Sequence, residues 1–195
     1  MVSQYILEKE KFLTAQDLGC RKFFLKKGYL LEYAYCEFLD DNLEVAKEIF
    51  SSLREKDIRA HWAYFLINLI EGDLCEYPTY FELRNFLEID LNILINYCKG
   101  DYVEKIVKYA NFMFSINPET YKFIGRVFYN NNLIVQAMYF LNLAKNYFYN
   151  DPELHYLIAF IYYNEGNLPD CRKALNTCLY ILPEYFPAVD LLKKL

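Results

Sequence analysis

Two histidines and six cysteines are the residues of this chain best suited to nucleophilic, acid–base or metal chemistry, and their spacing suits none of it. A Ser-His or Cys-His pair would have to use His61 or His155, which lie far apart in the sequence. Cys20, Cys36, Cys75, Cys98, Cys171 and Cys178 form no CxxC pair, and with two histidines they match no zinc-site spacing. Scattered through apolar helical segments, they read as buried free thiols in a reducing, cytoplasmic compartment. The glycines at 19, 28, 72, 100, 125 and 166 are isolated, so no glycine-rich phosphate loop exists. The carboxylates cluster at turns and on outer faces, where solvation accounts for them. The expectation is a protein without catalytic residues, bound metal or cofactor. An all-helical enzyme with an unrecognised site is the remote alternative.

The bulk composition says what kind of frame surrounds these residues. The chain has 195 residues, 55% of them hydrophobic, and the excess is aromatic: 20 Tyr and 16 Phe. So much bulky surface argues against disorder. Tyrosine tolerates a place that is half buried and half wet, which suits a thin structure with much surface per core residue. Only 6 Gly and 6 Pro interrupt the chain, too few for a many-stranded β architecture. The net charge of −5 is uneven. Residues 28–101 carry six basic and fifteen acidic side chains, whereas residues 1–27 carry six and three. No basic stripe marks a nucleic-acid binder. No apolar stretch is long enough to span a membrane, and Glu8 to Lys11 interrupt any secretory h-region, so neither a signal segment nor membrane insertion is expected.

Polar turns divide the apolar segments: Asp40-Asp41-Asn42, Glu71-Gly72-Asp73, Lys99-Gly100-Asp101, Asn130-Asn131-Asn132 and Glu165-Gly166-Asn167. Counted from Asn42 through Gly72, Gly100 and Asn132 to Gly166, the steps are 30, 28, 32 and 34 residues. A recurrence near 34 predicts a helix-turn-helix repeat. Leu154–Tyr163 is apolar nearly all round and predicts a helix covered on both sides. In Asp170–Ile181, Cys171, Ala174, Leu175, Cys178 and Leu179 share one face and Arg172, Lys173 and Asn176 the other, which predicts an outer helix. Asn117-Pro118-Glu119 and Asp151-Pro152-Glu153 predict helix starts, as do Pro78 and Pro169. Thr14-x-x-Asp17 predicts a capping box.

Three units carry a resemblance to the tetratricopeptide repeat, whose pattern is W-x2-L-G-x2-Y, then A-x3-F, then Pro. They read Tyr121-x2-Ile124-Gly125-x2-Phe128 with Ala137-x3-Leu141; His155-x2-Ile158-Ala159-x2-Tyr162 with Cys171-x3-Leu175 and Pro183; and Leu30-x2-Tyr33-Ala34-x2-Glu37 with Ala46-x3-Phe50. The small residues are 12 apart in all three: Ala34 to Ala46, Gly125 to Ala137, Ala159 to Cys171. Two helices approach closely only where one backbone meets a small side chain, so Cys171 and Cys178 read as packing residues in place of alanine. His155 falls on the bulky aromatic place, which favours a packed histidine over a catalytic one.

The resemblance implies an all-α fold, a right-handed solenoid of antiparallel helix pairs in a single domain. Residues 1–27 would form a divergent pair, 28–53 one repeat-like unit, 57–115 degenerate and shortened pairs, 118–183 the two best units, and 184–195 a closing helix. It also implies a concave groove lined by first helices, which binds another protein or a peptide. The groove-facing set would be Glu119, Lys122, Arg126, Tyr129, Tyr156, Phe160 and Tyr163; the alternative for Phe160 and the tyrosines is packing against a neighbouring helix. Lys122 and Arg126 alone match a carboxylate clamp, so an apolar or aromatic peptide fits better, as for an adaptor or chaperone-like scaffold. Self-assembly through the terminal helices is the second possibility, with Phe186, Val189, Leu191, Leu192 and Leu195 either capping the stack or docking on a second copy.

Overall fold

The computed structural model describes residues 3–14, 17–74 and 76–195. Among these every regular element is helical. The helices are α1 (Gln4–Thr14), α2 (Arg21–Lys27), α3 (Leu30–Leu39), α4 (Leu43–Leu53), α5 (Ile58–Glu71), α6 (Tyr80–Asn96), α7 (Gly100–Lys108), α8 (Ala110–Ile116), α9 (Thr120–Asn130), α10 (Ile134–Tyr147), α11 (Pro152–Asn164), α12 (Leu168–Ile181) and α13 (Phe186–Leu192), with a short 3-10 turn at Leu18–Cys20. They fall into two compact units, Met1–Ile116 and Asn117–Leu195. Sequence neighbours pack as pairs, most extensively α3 with α4, α9 with α10, and α11 with α12.

One turn geometry recurs between helices. Gly28, Asp41, Gly72, Cys98, Asn132 and Gly166 have φ between 57° and 83°. In each case the following amide donates to the carbonyl five residues back: Tyr29 to Phe24, Asn42 to Glu37, Asp73 to Asn68, Lys99 to Leu94, Leu133 to Phe128 and Asn167 to Tyr162. This bond satisfies a helix-end carbonyl and turns the chain back on itself. Four of the five polar turns predicted from sequence contain such a residue and the fifth follows one directly, and in two cases the left-handed residue differs from the one counted. It is Asp41 rather than Asn42, and Cys98 rather than Gly100, which instead begins α7.

The three pairs with small residues 12 apart are the most closely packed. Ala34, Ala46, Ala137, Ala159 and Cys171 are fully buried, and Gly125 is buried as well. A Cβ at Gly125 would lie 2.8 Å from Leu141 Cγ and Cδ2 and 3.2 Å from the Leu141 amide nitrogen. Glycine is therefore required by closeness, not by φ. In α12 the predicted division holds: Cys171, Leu175 and Cys178 are buried and Arg172, Lys173 and Asn176 exposed. Cys20 and Cys36 are buried too, but Cys98 is exposed because it occupies a turn; Cys75 lies outside the described residues.

The first unit departs from a regular repeat after α4. Residues 80–96 form one 17-residue helix, so this stretch is lengthened, not shortened as expected. Within 57–115 the short helices are α7 and α8, of 9 and 7 residues. The predicted box at Thr14 and Asp17 is absent: Thr14 Oγ1 donates back to the Glu10 carbonyl, and Asp17 caps the 3-10 turn through the Gly19 amide. The capping box stands at Thr79 and Glu82, where each side chain accepts from the other's backbone N–H.

A buried polar network anchors the long helix. Asp90, on α6, is 2% exposed. It accepts from Trp62 Nε1 at 2.6 Å, from the Tyr35 hydroxyl at 3.2 Å and from Arg59 Nη2. One carboxylate thus ties α6 to α3 and α5. Burial pushes the Asp90 carboxyl above its ordinary value, opposed by Arg59 and by the Trp62 and Tyr35 donors.

Two substitutions test this account. Gly125→Ala forces a Cβ into Leu141, which is itself fully buried and cannot move aside. The clash outweighs the better helix propensity of alanine, so denaturant unfolding is expected to show a net loss of about 1–2 kcal/mol. Leu141→Ala in the same chain should recover part of it, a non-additivity visible in a double-mutant cycle. Cys98→Gly removes a left-handed β-carbon at an exposed site, and the same measurement should show a gain of up to about 1 kcal/mol.

Candidate functional site

Most of the residues that the sequence singles out for peptide binding meet on the first helices of the second unit, α9 and α11. Phe160 is the hub. Its ring lies stacked at 6.0 Å from Tyr156 and at 6.5 Å from Tyr163, and edge-on at 6.4 Å from Tyr129. Tyr156 continues the row to Tyr185 at 5.5 Å. These spacings lie within the range in which aromatic pairs attract. All five side chains are partly exposed, and Tyr156, Phe160, Tyr163 and Tyr185 also pack on the core around Ala159, Cys171 and Leu175. Core packing and exposure coexist here, since the row is partly buried against the core and partly open. Burial raises the hydroxyls of Tyr156 and Tyr185 above the ordinary tyrosine value, so both remain neutral donors. Tyr129 accepts from Asn164 Nδ2 at 2.9 Å, which fixes its ring against the end of α11.

The basic pair expected beside the aromatics is placed differently. Lys122 is 7% exposed, and its Nζ lies 2.9 Å from Asp151 and 3.3 Å from both Glu153 and Glu119. Its charge is taken up between α9 and the start of α11, which leaves little of it for a peptide. Arg126 is more open, with Nη1 donating to Glu153 at 2.9 Å. Burial alone would lower the Lys122 ammonium, but the hydrogen bond and charge of Asp151, with Glu153 and Glu119, more than reverse this, and it sits above its ordinary 10.5.

Sequence reasoning missed Tyr185 as a member of the row and Asp151 and Glu153 as partners of Lys122. The signal for the acids was present. Asp151-Pro152-Glu153 repeats Asn117-Pro118-Glu119 at a step of 34, which sets the first turn of α11 beside that of α9. Asp151 does cap α11 as predicted, accepting from the Leu154 amide at 3.2 Å. Of the terminal residues, Ala188 and Leu191 enter the core, Leu192 and Leu195 pack against it, and Phe186 is 71% exposed.

The histidines are held by local contacts. His155 donates from Nε2 to the Tyr149 carbonyl at 2.8 Å, and His61 Nδ1 meets Glu82 at 2.5 Å. Among the described residues no group of three or more His, Cys, Asp or Glu is arranged to hold a metal ion, and no helix is long and apolar enough to cross a membrane. No protein-family model matches the chain. No curated protein matches it either.

The Lys122 site yields a pH signature. Because its folded value is raised, the stabilisation is complete below pH 10.5 and is lost as pH rises through the higher folded value. Lys122→Met should cost roughly 2 kcal/mol at neutral pH, less than for a fully buried pair because Glu153 can rehydrate. In denaturant titrations the gap between wild type and variant should stay flat from pH 7 to about 9.5 and narrow above about 10.5.

Proposed function

We propose that this chain is a tetratricopeptide-like, right-handed helical solenoid that acts as a protein-interaction scaffold, holding an apolar or aromatic peptide segment against α9 and α11. The observation that carries this reading is the row Tyr129, Phe160, Tyr156 and Tyr163, extended by Tyr185. Four linked, half-exposed rings on the adjacent first helices α9 and α11, with Tyr185 from the turn before α13, offer rigid, amphipathic contact area at little entropic cost. The occupation of Lys122 by three carboxylates argues against a terminal-carboxylate clamp and for side-chain recognition of apolar residues. In this reading the protein carries out no reaction, and the buried thiols and locally bonded histidines serve packing.

The test is binding to an array of short peptides rich in Phe, Trp and Leu, followed by fluorescence anisotropy on the best binders. Tyr156→Ser with Tyr163→Ser should weaken binding about tenfold or more, as expected for loss of interface anchors. Tyr180→Ser, at a residue 89% exposed on α12 and outside the row, should change nothing. Equal binding by wild type and the double variant, or no binding at millimolar peptide, rejects the proposal.

A further inference from the structure

The second unit contains a half-enclosed cavity of about 380 Å³ between the end of α10, α11 and the first half of α12. That volume is near the lower end of the range typical of small-molecule sites. Its inner wall joins the buried Ile158 to the partly buried Ala174 and Tyr162. One side is held in place by His155, which is 7% exposed and donates from Nε2 to the Tyr149 carbonyl at 2.8 Å. This bond ties the segment after α10 to α11, so the wall is formed before any ligand arrives. His155, Ile158 and Tyr162 lie on a different face of α11 from Tyr156, Phe160 and Tyr163, and no ring of the aromatic row lines the cavity.

The charges of this wall do not balance. Acidic residues outnumber basic ones in the chain, 26 to 21, yet here Lys145 and Lys173 face a single acid, Asp170. Both lysines are exposed, and among the described residues neither has a carboxylate within ion-pair distance. Lys122 in the same unit, by contrast, is met by three. Asp170 is already engaged, accepting from Asn167 Nδ2 at 2.8 Å. The cavity therefore carries a surplus of one positive charge, on two ammonium groups that water can reach. Each sits on a flexible four-carbon stem, so the two can close on one anion.

We propose that this cavity is a binding site for a small aromatic carboxylate, its ring against Ile158, Ala174 and Tyr162 and its carboxylate within reach of Lys145 and Lys173. The surplus charge decides against the alternatives. An ammonium ligand would meet two like charges. An uncharged ring would fill the space but gain nothing from the lysines. A phosphomonoester, mostly a dianion at neutral pH, would bring two negative charges to a surplus of one, with Asp170 beside it. The site is independent of the aromatic row, and the two can fail separately.

The test compares three probes of similar size on the full chain, by ligand-observed NMR at low salt: hydrocinnamate, its neutral amide and phenyl phosphate. Hydrocinnamate should bind about fivefold more tightly than the amide, the ratio two exposed ion pairs supply, and more tightly than phenyl phosphate. High salt should erase the advantage of the acid over the amide, because both lysines are open to screening. Lys145→Gln with Lys173→Gln should erase it as well while the amide still binds; both residues are exposed, so the fold tolerates the change. Arg172→Gln, next to Lys173 but outside the cavity wall, should leave all three affinities as they are. Thr177→Trp, at a partly buried residue of the wall whose hydroxyl donates only to the Lys173 carbonyl, should abolish binding of all three. Equal affinity for acid and amide, tightest binding of phenyl phosphate, no hydrocinnamate binding at millimolar concentration, an advantage that survives the double variant, or unchanged binding in Thr177→Trp overturns the proposal.

Discussion

The close approach of two helix backbones at a fully buried small residue is the constraint on which the paired architecture rests. At Gly125 the partner helix comes so near that a single added carbon would sit 2.8 Å from Leu141. Ala34, Ala46, Ala159 and Cys171 are likewise fully buried small residues in the α3–α4 and α11–α12 pairs. Because the contact must fall at the same height on both helices, the loop between them has a set length and direction. The recurring left-handed turn supplies that direction by satisfying a helix-end carbonyl within one residue of the bend. Side-chain choice, loop length and turn type are thus three consequences of one packing requirement.

Each unit adds a polar connection that links elements beyond the pair, and the two solve the same problem with opposite signs. In the first unit a buried anion, Asp90, gathers donors from α3 and α5. In the second a buried cation, Lys122, gathers carboxylates from the first turn of α11 and from the entry to α9. Buried charges are tolerated only when surrounded in this way, and they fix the register of the elements they join more strictly than apolar contacts can. Around Asp90 the repeat spacing gives way to the 17-residue helix α6, which presents the carboxylate where α3 and α5 can both reach it.

The surplus of tyrosine and phenylalanine is spent in two kinds of place. Phe24, Phe38, Phe50, Phe65 and Trp62 fill the first core outright. The rings around Phe160 instead sit at the edge of the second core, packed on one side and open on the other. Such a position contributes to stability while leaving ring surface exposed. This double placement is why their sequence pattern matched a core helix and a groove equally well.

The sequence by itself determined the helical class, the pairing of neighbours and the places where the chain turns. These are local properties: apolar period, cap residues and small residues at a fixed step act within some 34 residues of one another. It also marked Tyr129, Tyr156, Phe160 and Tyr163 as one face, because they recur on adjacent first helices. Only the tertiary structure decided that Lys122 faces inward, that Tyr185 joins the row, that Cys98 is exposed, and that Arg59, Asp90, Trp62 and Tyr35 meet. Asp90 and Tyr35 are 55 positions apart and fit no repeat, so nothing local announces their contact. The direction of a charged side chain depends on which opposite charge the fold brings near it, and that is fixed only when distant segments have packed.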